Sequence, residues 1–406
     1  MNMFDLKGTC RICGKEFALS DGVVFDGDNK SVCSCCGDKV AKGMGYMKTK
    51  AETRREDVES VAKDTMTPRA IKEQLDRFVV GQEQAKKVLS VAAYNHHKRL
   101  QLNDKGIQKS NVMLVGPSGS GKTHLMKTLA RILDAPLAIC SATNLTESGW
   151  VGEDPVSVVG ALLAACDNNA EKAEKGIIFI DEIDKIATGA SESKKQVGGQ
   201  GVQQALLPII EGSVVSVPVG VGPAATKVAV DTSNILFVVG GAFPKMEDMI
   251  RKRLGGKKDS VVGFTSQLME DTEPEDNLLL KTTNDDLKEF GFIPEFLGRV
   301  PILACLEELT VDTLKKILYE PEDAIVTQFT KLFKYDGVDI EFTDDALTVI
   351  ATKAKGHGTG ARSLRKILED LLLELQFTVP GSDCKKIVIN KEFAAGETEL
   401  PLMEKR

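Results

Sequence analysis

The run Gly116-Pro117-Ser118-Gly119-Ser120-Gly121-Lys122-Thr123 has the residue types to cradle a polyphosphate. Glycine-rich backbone can wrap so that successive N–H groups face the phosphates, and a following helix adds partial positive charge at its N-terminus. A lysine in this position meets the outer phosphates, and the threonine hydroxyl after it can ligate magnesium. His124 opens the helical stretch and is counted with the nucleotide-binding residues. Downstream, Ile177-Ile178-Phe179-Ile180 delivers two adjacent carboxylates, Asp181 and Glu182, to the end of an apolar strand. Asp181 is expected to hold Mg2+ through water, and Glu182 to polarise the water that attacks the terminal phosphate. These residues by themselves describe a hydrolase of ATP or GTP.

Cys10-x2-Cys13 and Cys33-x2-Cys36 form two paired knuckles separated by 19 residues. Four thiolates at such spacing close a tetrahedral zinc site with no open position, so the metal is expected to be structural and not catalytic. Cys35 competes for the fourth place, and Cys36 is chosen because it restores the two-residue gap. Five of the nine cysteines crowd into residues 10–36, which favours metal over disulfides.

The elements that must position these groups are legible along the chain. Short apolar runs at residues 111–115, 136–140, 176–180 and 235–239 are of the buried parallel-strand type and are separated by amphipathic segments, which implies a wound α/β domain. Thr67-Pro68 reads as a cap and first helical turn, followed by Ile71, Leu75 and Phe78 at helical spacing. Beyond Pro301 the patterning becomes helical at 311–319, 324–333, 343–354 and 361–375, with a short strand at 386–389. The expected organisation is a zinc-binding module at 1–40, a polar linker at 41–66, a large α/β ATPase domain at 67–310, a small helical domain at 311–395 and a tail at 396–406. Residues 191–200, 219–227 and 252–278 are the main loop candidates. A formal charge of −7 gives no overall field toward nucleic acid or an anionic membrane. No apolar run approaches bilayer length and residues 1–10 lack a secretory pattern, so a soluble cytoplasmic protein is expected.

Three further words resemble the ClpX family, the AAA+ ATP-dependent unfoldase subunits of the Clp protease, in order and spacing: residues 78–86 (FVVGQEQAK), 293–299 (IPEFLGR) and 359–365 (TGARSLR). The chain looks like a divergent member. The resemblance implies an AAA+ P-loop NTPase large domain, a small mainly helical lid domain and an N-terminal treble-clef-like zinc module. It implies that Val79 and Val80 line the adenine pocket, that Arg299 reaches the γ-phosphate of a neighbouring subunit, and that Arg362 senses the bound nucleotide. It implies a homohexamer that threads protein substrates into a ClpP-type peptidase, with adaptors received by the zinc module.

By the same resemblance, Gly149-Trp150-Val151-Gly152 is the substrate-gripping pore loop, with Trp150 replacing the usual tyrosine. A second pore loop falls at residues 196–199, including Val197, and departs from the expected charges. Residues 219–227 lack the basic character of the family's pore entrance. Val262-Gly263-Phe264 stands at the place of the peptidase-docking tripeptide. Two rivals are a peptidase-independent remodelling ATPase and a zinc-bearing ATPase acting on DNA. The single tryptophan in a glycine-flanked loop and the acidic total count against the latter.

Overall fold

The computed structural model describes residues 7–10, 16–18, 24–26, 30–32, 66–102, 106–146, 153–187, 199–220, 226–255 and 278–405. The chain divides into two units, Met1–Asp64 and Thr65–Arg406. In the first, β1 (Lys7–Thr9) pairs antiparallel with β2 (Glu16–Ala18), and β3 (Val24–Asp26) with β4 (Lys30–Val32). Cys10 follows β1 directly and is buried. Cys13, Cys33, Cys35 and Cys36 lie outside the described residues, and among the described residues no group of three or more metal-ligating side chains occurs.

The second unit opens with α1 (Pro68–Asp76), capped by the Thr67 hydroxyl, which accepts the Ala70 N–H at 3.2 Å. After α2 (Glu83–Leu102) come β5 (Val112–Val115), α3 (Lys122–Ile132), β6 (Leu137–Ser141), α4 (Ser157–Ala165) and β7 (Ile177–Asp181). Then follow α5 (Gly199–Glu211), the hairpin β8 (Val214–Val219) and β9 (Thr226–Asp231), β10 (Leu236–Gly241) and α6 (Met246–Gly255). The last elements of this region are α7 (Asn284–Phe290), α8 (Pro294–Arg299) and β11 (Ile302–Cys305).

Among the described residues, β11, β5, β10, β7 and β6 form one parallel sheet in that order. Alternate side chains of each strand point to opposite faces, and both faces are covered. Val112 and Leu114 join Leu125, Leu129, Phe179 and Val238 in one core, whereas Met113 and Val115 join Ile178, Ile180, Phe237 and Leu206 in the other. Continuous apolar strands are the sequence trace of that double burial.

The C-terminal region has a core of its own, from Leu309 to Ala394. It is built from α9 (Val311–Tyr319), α10 (Ile325–Tyr335), α11 (Asp344–Gly356), α12 (Arg362–Thr378) and α13 (Lys391–Ala395). It also carries a sheet of β12 (Asp339–Phe342), β13 (Cys384–Ile389) and β14 (Leu402–Lys405). The strand expected at 386–389 is thus the middle of three, and residues read as a tail contribute β14, antiparallel to β13. The loop boundaries also tighten. Gly199 and Gln200 begin α5, residues 252–255 end α6, and Val219 pairs with Thr226 across the hairpin.

Candidate active site

The phosphate loop connects β5 to α3, whose N-cap, Gly121, supplies no capping side chain. The leading amides of α3 are therefore left for an incoming anion. Gly119 takes φ +77°, and a Cβ there would fall 2.1 Å from the Thr359 carbonyl oxygen. Glycine is required at this position by conformation and by space together.

Lys122 is buried, and its Nζ donates to the carbonyls of Gly116 at 2.7 Å and Pro117 at 3.0 Å. Desolvation pushes its pKa down, and Asp181 and Asp184 oppose that shift while Arg362 adds to it. An ammonium whose hydrogen bonds go to neutral carbonyls in a desolvated site is a strong attractor for phosphate oxygens.

Thr123 Oγ1 donates to Asp181 Oδ2 at 3.0 Å, although β10 separates the strands that lead to the two residues. A hydroxyl and a carboxylate side by side are the hard oxygen donors that magnesium takes. Asp181 Oδ1 accepts the Glu182 N–H at 2.9 Å. Glu182 sits in the left-handed region, φ 58° and ψ 32°, a conformation a non-glycine residue keeps where its surroundings over-determine it. Its carboxylate accepts from Ser141 Oγ at 2.8 Å and Thr143 Oγ1 at 3.2 Å. The β6–β7 register sets Ser141 opposite Asp181, which brings the first of those hydroxyls within reach. Neither hydroxyl was expected as a site residue, and no local pattern marks them.

A cavity of about 510 Å³ gathers most of the expected nucleotide-binding residues, whereas Asp181 and Glu182 are not among those lining it. Val79 and Val80 line it with Gly119, Ser120, Gly121, Lys122, Thr123 and His124, and Arg362 joins them from the start of α12. Gly116, Pro117 and Ser118 complete the loop beside it, the last two lining a smaller cavity of about 130 Å³. Leu309, Ile317 and Ile325, which no sequence motif marks, add an apolar wall from the C-terminal region. Such a wall suits the flat face of a base, opposite a polar end for phosphates. Val79 is fixed in turn by Lys86, which is 2% exposed. Its Nζ donates to the Val79 carbonyl at 3.1 Å and pairs with Asp76 at 2.5 Å and Glu83 at 2.8 Å.

Arg299 is not among the residues lining this cavity. It ends α8, half exposed, with Nη2 2.8 Å from Glu211 Oε1, and its carbonyl accepts from Asn111 Nδ2 at 2.9 Å. Gly149, Trp150, Val151, Gly152, Val197, Val262, Gly263 and Phe264 lie outside the described residues. The base of the first loop is described: the Thr146 N–H donates to the Glu153 carbonyl at 2.9 Å, and the Glu153 N–H to the Asn144 carbonyl at 3.0 Å.

Residues 107–303 match the family described as AAA domain (Cdc48 subfamily), and residues 309–375 match the C-terminal, D2-small domain of ClpB protein. The chain is 42% identical over 405 residues to the ATP-dependent Clp protease ATP-binding subunit ClpX of Borrelia duttonii, covering 97% of this chain and 92% of that protein. It is likewise 42% identical over 403 residues to the protein of the same name in Treponema denticola, covering 97% and 95%.

Proposed function

The chain belongs to the ClpX family of AAA+ ATPases, and from that premise we propose that it hydrolyses ATP to unfold proteins and thread them into a Clp-type peptidase. The observation that carries the chemistry is the Thr123–Asp181 contact at 3.0 Å, made by a threonine that lines the same cavity as Lys122 and Arg362. Lys122 would exchange the Gly116 and Pro117 carbonyls for outer phosphate oxygens. Thr123 and Asp181 would hold magnesium, which supplies neutralisation of charge on the phosphates. Glu182, steadied by Ser141 and Thr143, would orient the attacking water and draw off its proton. Val79 and Val80 would flank the adenine.

Assembly into a homohexamer follows from the same reading. Arg299 is accessible on its own chain and outside its own cavity, as a residue acting on a neighbour's γ-phosphate must be. Phe377 is 84% exposed and Leu373 61% exposed, one turn apart on α12, and such apolar surface fits burial between subunits. In this ring Trp150, with Val197 in the second loop, would grip the translocating chain, and Val262-Gly263-Phe264 would dock on the peptidase. Cys10, Cys13, Cys33 and Cys36 would hold one structural Zn2+ in a module that receives adaptors. The cytoplasm is the location proposed with this role. Among the described residues no helix is long and apolar enough to cross a membrane.

The test is Glu182→Gln, which keeps the shape of the side chain and removes its basicity. The variant is expected to bind ATP with wild-type affinity by calorimetry and to release phosphate at least about 100-fold more slowly, the upper part of the range for losing a general base. Phosphate release at the wild-type rate would overturn the assignment.

A further inference from the structure

Gln82 is 5% exposed and adopts φ +58°, a backbone conformation unfavourable for a residue with a Cβ. Its side-chain amide is engaged with the backbone of two distant segments. Nε2 donates to the Glu307 carbonyl at 2.9 Å, and Oε1 accepts the Glu307 N–H at 2.8 Å. Nε2 also reaches the Ser120 carbonyl at 3.4 Å. Only a primary amide can donate twice and accept once from one rigid plane at these positions. A carboxylate would face two carbonyls without a proton, and an aliphatic side chain would leave buried peptide groups unpaired.

Ser120 belongs to the phosphate loop. Glu307 lies between β11 and α9, in the connection that joins the sheet region to the C-terminal region. The residue before it is anchored as well. The Leu306 N–H donates to the Val115 carbonyl at 2.7 Å, and a Cβ on Gly116 would come 2.7 Å from Leu306 Cβ. The connection therefore starts in van der Waals contact with the phosphate loop, and Glu307 is the peptide at which a side chain takes over its pairing.

We propose that Gln82 is a positioning residue that couples occupancy of the phosphate loop to the orientation of the C-terminal region, acting through the Glu307 peptide. The proposal rests on the ATPase reading above. The Ser120 contact is the longest of the three and has the most room to shorten. Closing of the loop on a nucleotide shortens it, rotates the amide plane and turns the Glu307 peptide with it. Hinge closure of this kind needs only a few residues at the end of an element to absorb the change. The connection is thereby biased from the nucleotide site through one side chain, which is a physical link between two sites and not mere proximity.

The experiment uses the full chain, with amide hydrogen exchange read on peptides covering residues 306–310. In the wild type, exchange there is expected to change about fivefold or more between the nucleotide-free and ATPγS-bound states, the lower end of common coupling strengths. In Gln82→Leu and Gln82→Glu, ATPγS affinity by calorimetry is expected to stay within about threefold while that difference at 306–310 disappears. A residue with a merely structural role would lower stability and leave the nucleotide-dependent difference in place, so a retained difference overturns the proposal. Should neither variant fold, the wild type decides: equal exchange at 306–310 with and without ATPγS refutes the coupling. A wild-type chain that neither binds nor hydrolyses ATP refutes the ATPase reading and this inference together. A wild type that turns over ATP beside variants with intact coupling refutes this inference alone.

Discussion

Gly119 and Gly121 offer a matched pair of perturbations, because both adopt positive φ and only one is crowded. Gly121 has φ +99°, and a Cβ there meets nothing within 4 Å. Gly121→Ala therefore carries the conformational cost alone, about 1–2 kcal/mol for an L-residue in the left-handed region. Gly119 has φ +77°, and its Cβ would lie 2.1 Å from the Thr359 oxygen and 2.7 Å from the Thr359 carbonyl carbon. Real Cβ contacts essentially never fall under 3.0 Å, so the 358–361 turn must retreat by 3.0 − 2.1, or 0.9 Å, merely to reach a tight contact. Overpacking against backbone adds about 1–3 kcal/mol, which brings Gly119→Ala to roughly 2–5 kcal/mol. Gly360→Ala attacks the same contact from the other side, since its Cβ would lie 2.7 Å from the Gly119 oxygen at φ +59°. The assay is urea denaturation of the three variants, together with calorimetric ATP affinity. Gly119→Ala and Gly360→Ala are expected to exceed Gly121→Ala in both losses, and their double variant to cost less than the sum, because the first substitution already opens the contact. Equal losses for Gly119→Ala and Gly121→Ala would refute the docking of the phosphate loop on the C-terminal region.

Two further outcomes can be measured directly. Arg299→Ala is expected to leave ATP affinity within about threefold and to slow hydrolysis by about 1,000-fold or more, as loss of an arginine acting in trans does; steady-state turnover near wild type would remove Arg299 from the mechanism. His96 is buried with no hydrogen-bond partner at Nε2, and burial first, then Lys109, Arg99 and His97, push its imidazole down to about 4. Its folded pKa lies below the unfolded value, so the unfolded chain binds more protons between pH 6.5 and 4 and stability falls on acidification through that window. His96→Gln is expected to lessen the loss between pH 6.5 and 4.5 by up to about 2–3 kcal/mol, read from urea midpoints at the two pH values. An unchanged acid sensitivity would show that His96 does not titrate as its burial requires.

What could be read from the chain alone was whatever depends on neighbours in sequence. The phosphate loop is a consecutive run, Asp181 and Glu182 end an apolar strand, and the cap Thr67 stands one residue before the helix it opens. Each is a local hydrogen bond or a run of buried side chains, and both leave a pattern in a window of a few residues. Val79, Val80 and Arg362 were placed by resemblance to a family, and the cavity brings all three together.

Tertiary structure alone decided the rest. The grip of Ser141 and Thr143 on Glu182 depends on the register of β6 against β7, which no spacing within either strand reports. Ile317 and Ile325 read as ordinary helix-core residues, and Leu309 as part of a connection, until the C-terminal region closes over the nucleotide cavity. The four-residue strands β12 and β14 are too short to show a period, and they become strands because β13 offers them an edge. The Gln82–Glu307 pair spans 225 residues, and its partner atoms are backbone, which every residue carries alike. A bond to a peptide group constrains the donor side chain without constraining the identity of the residue it meets, and for that reason the sequence holds no trace of it.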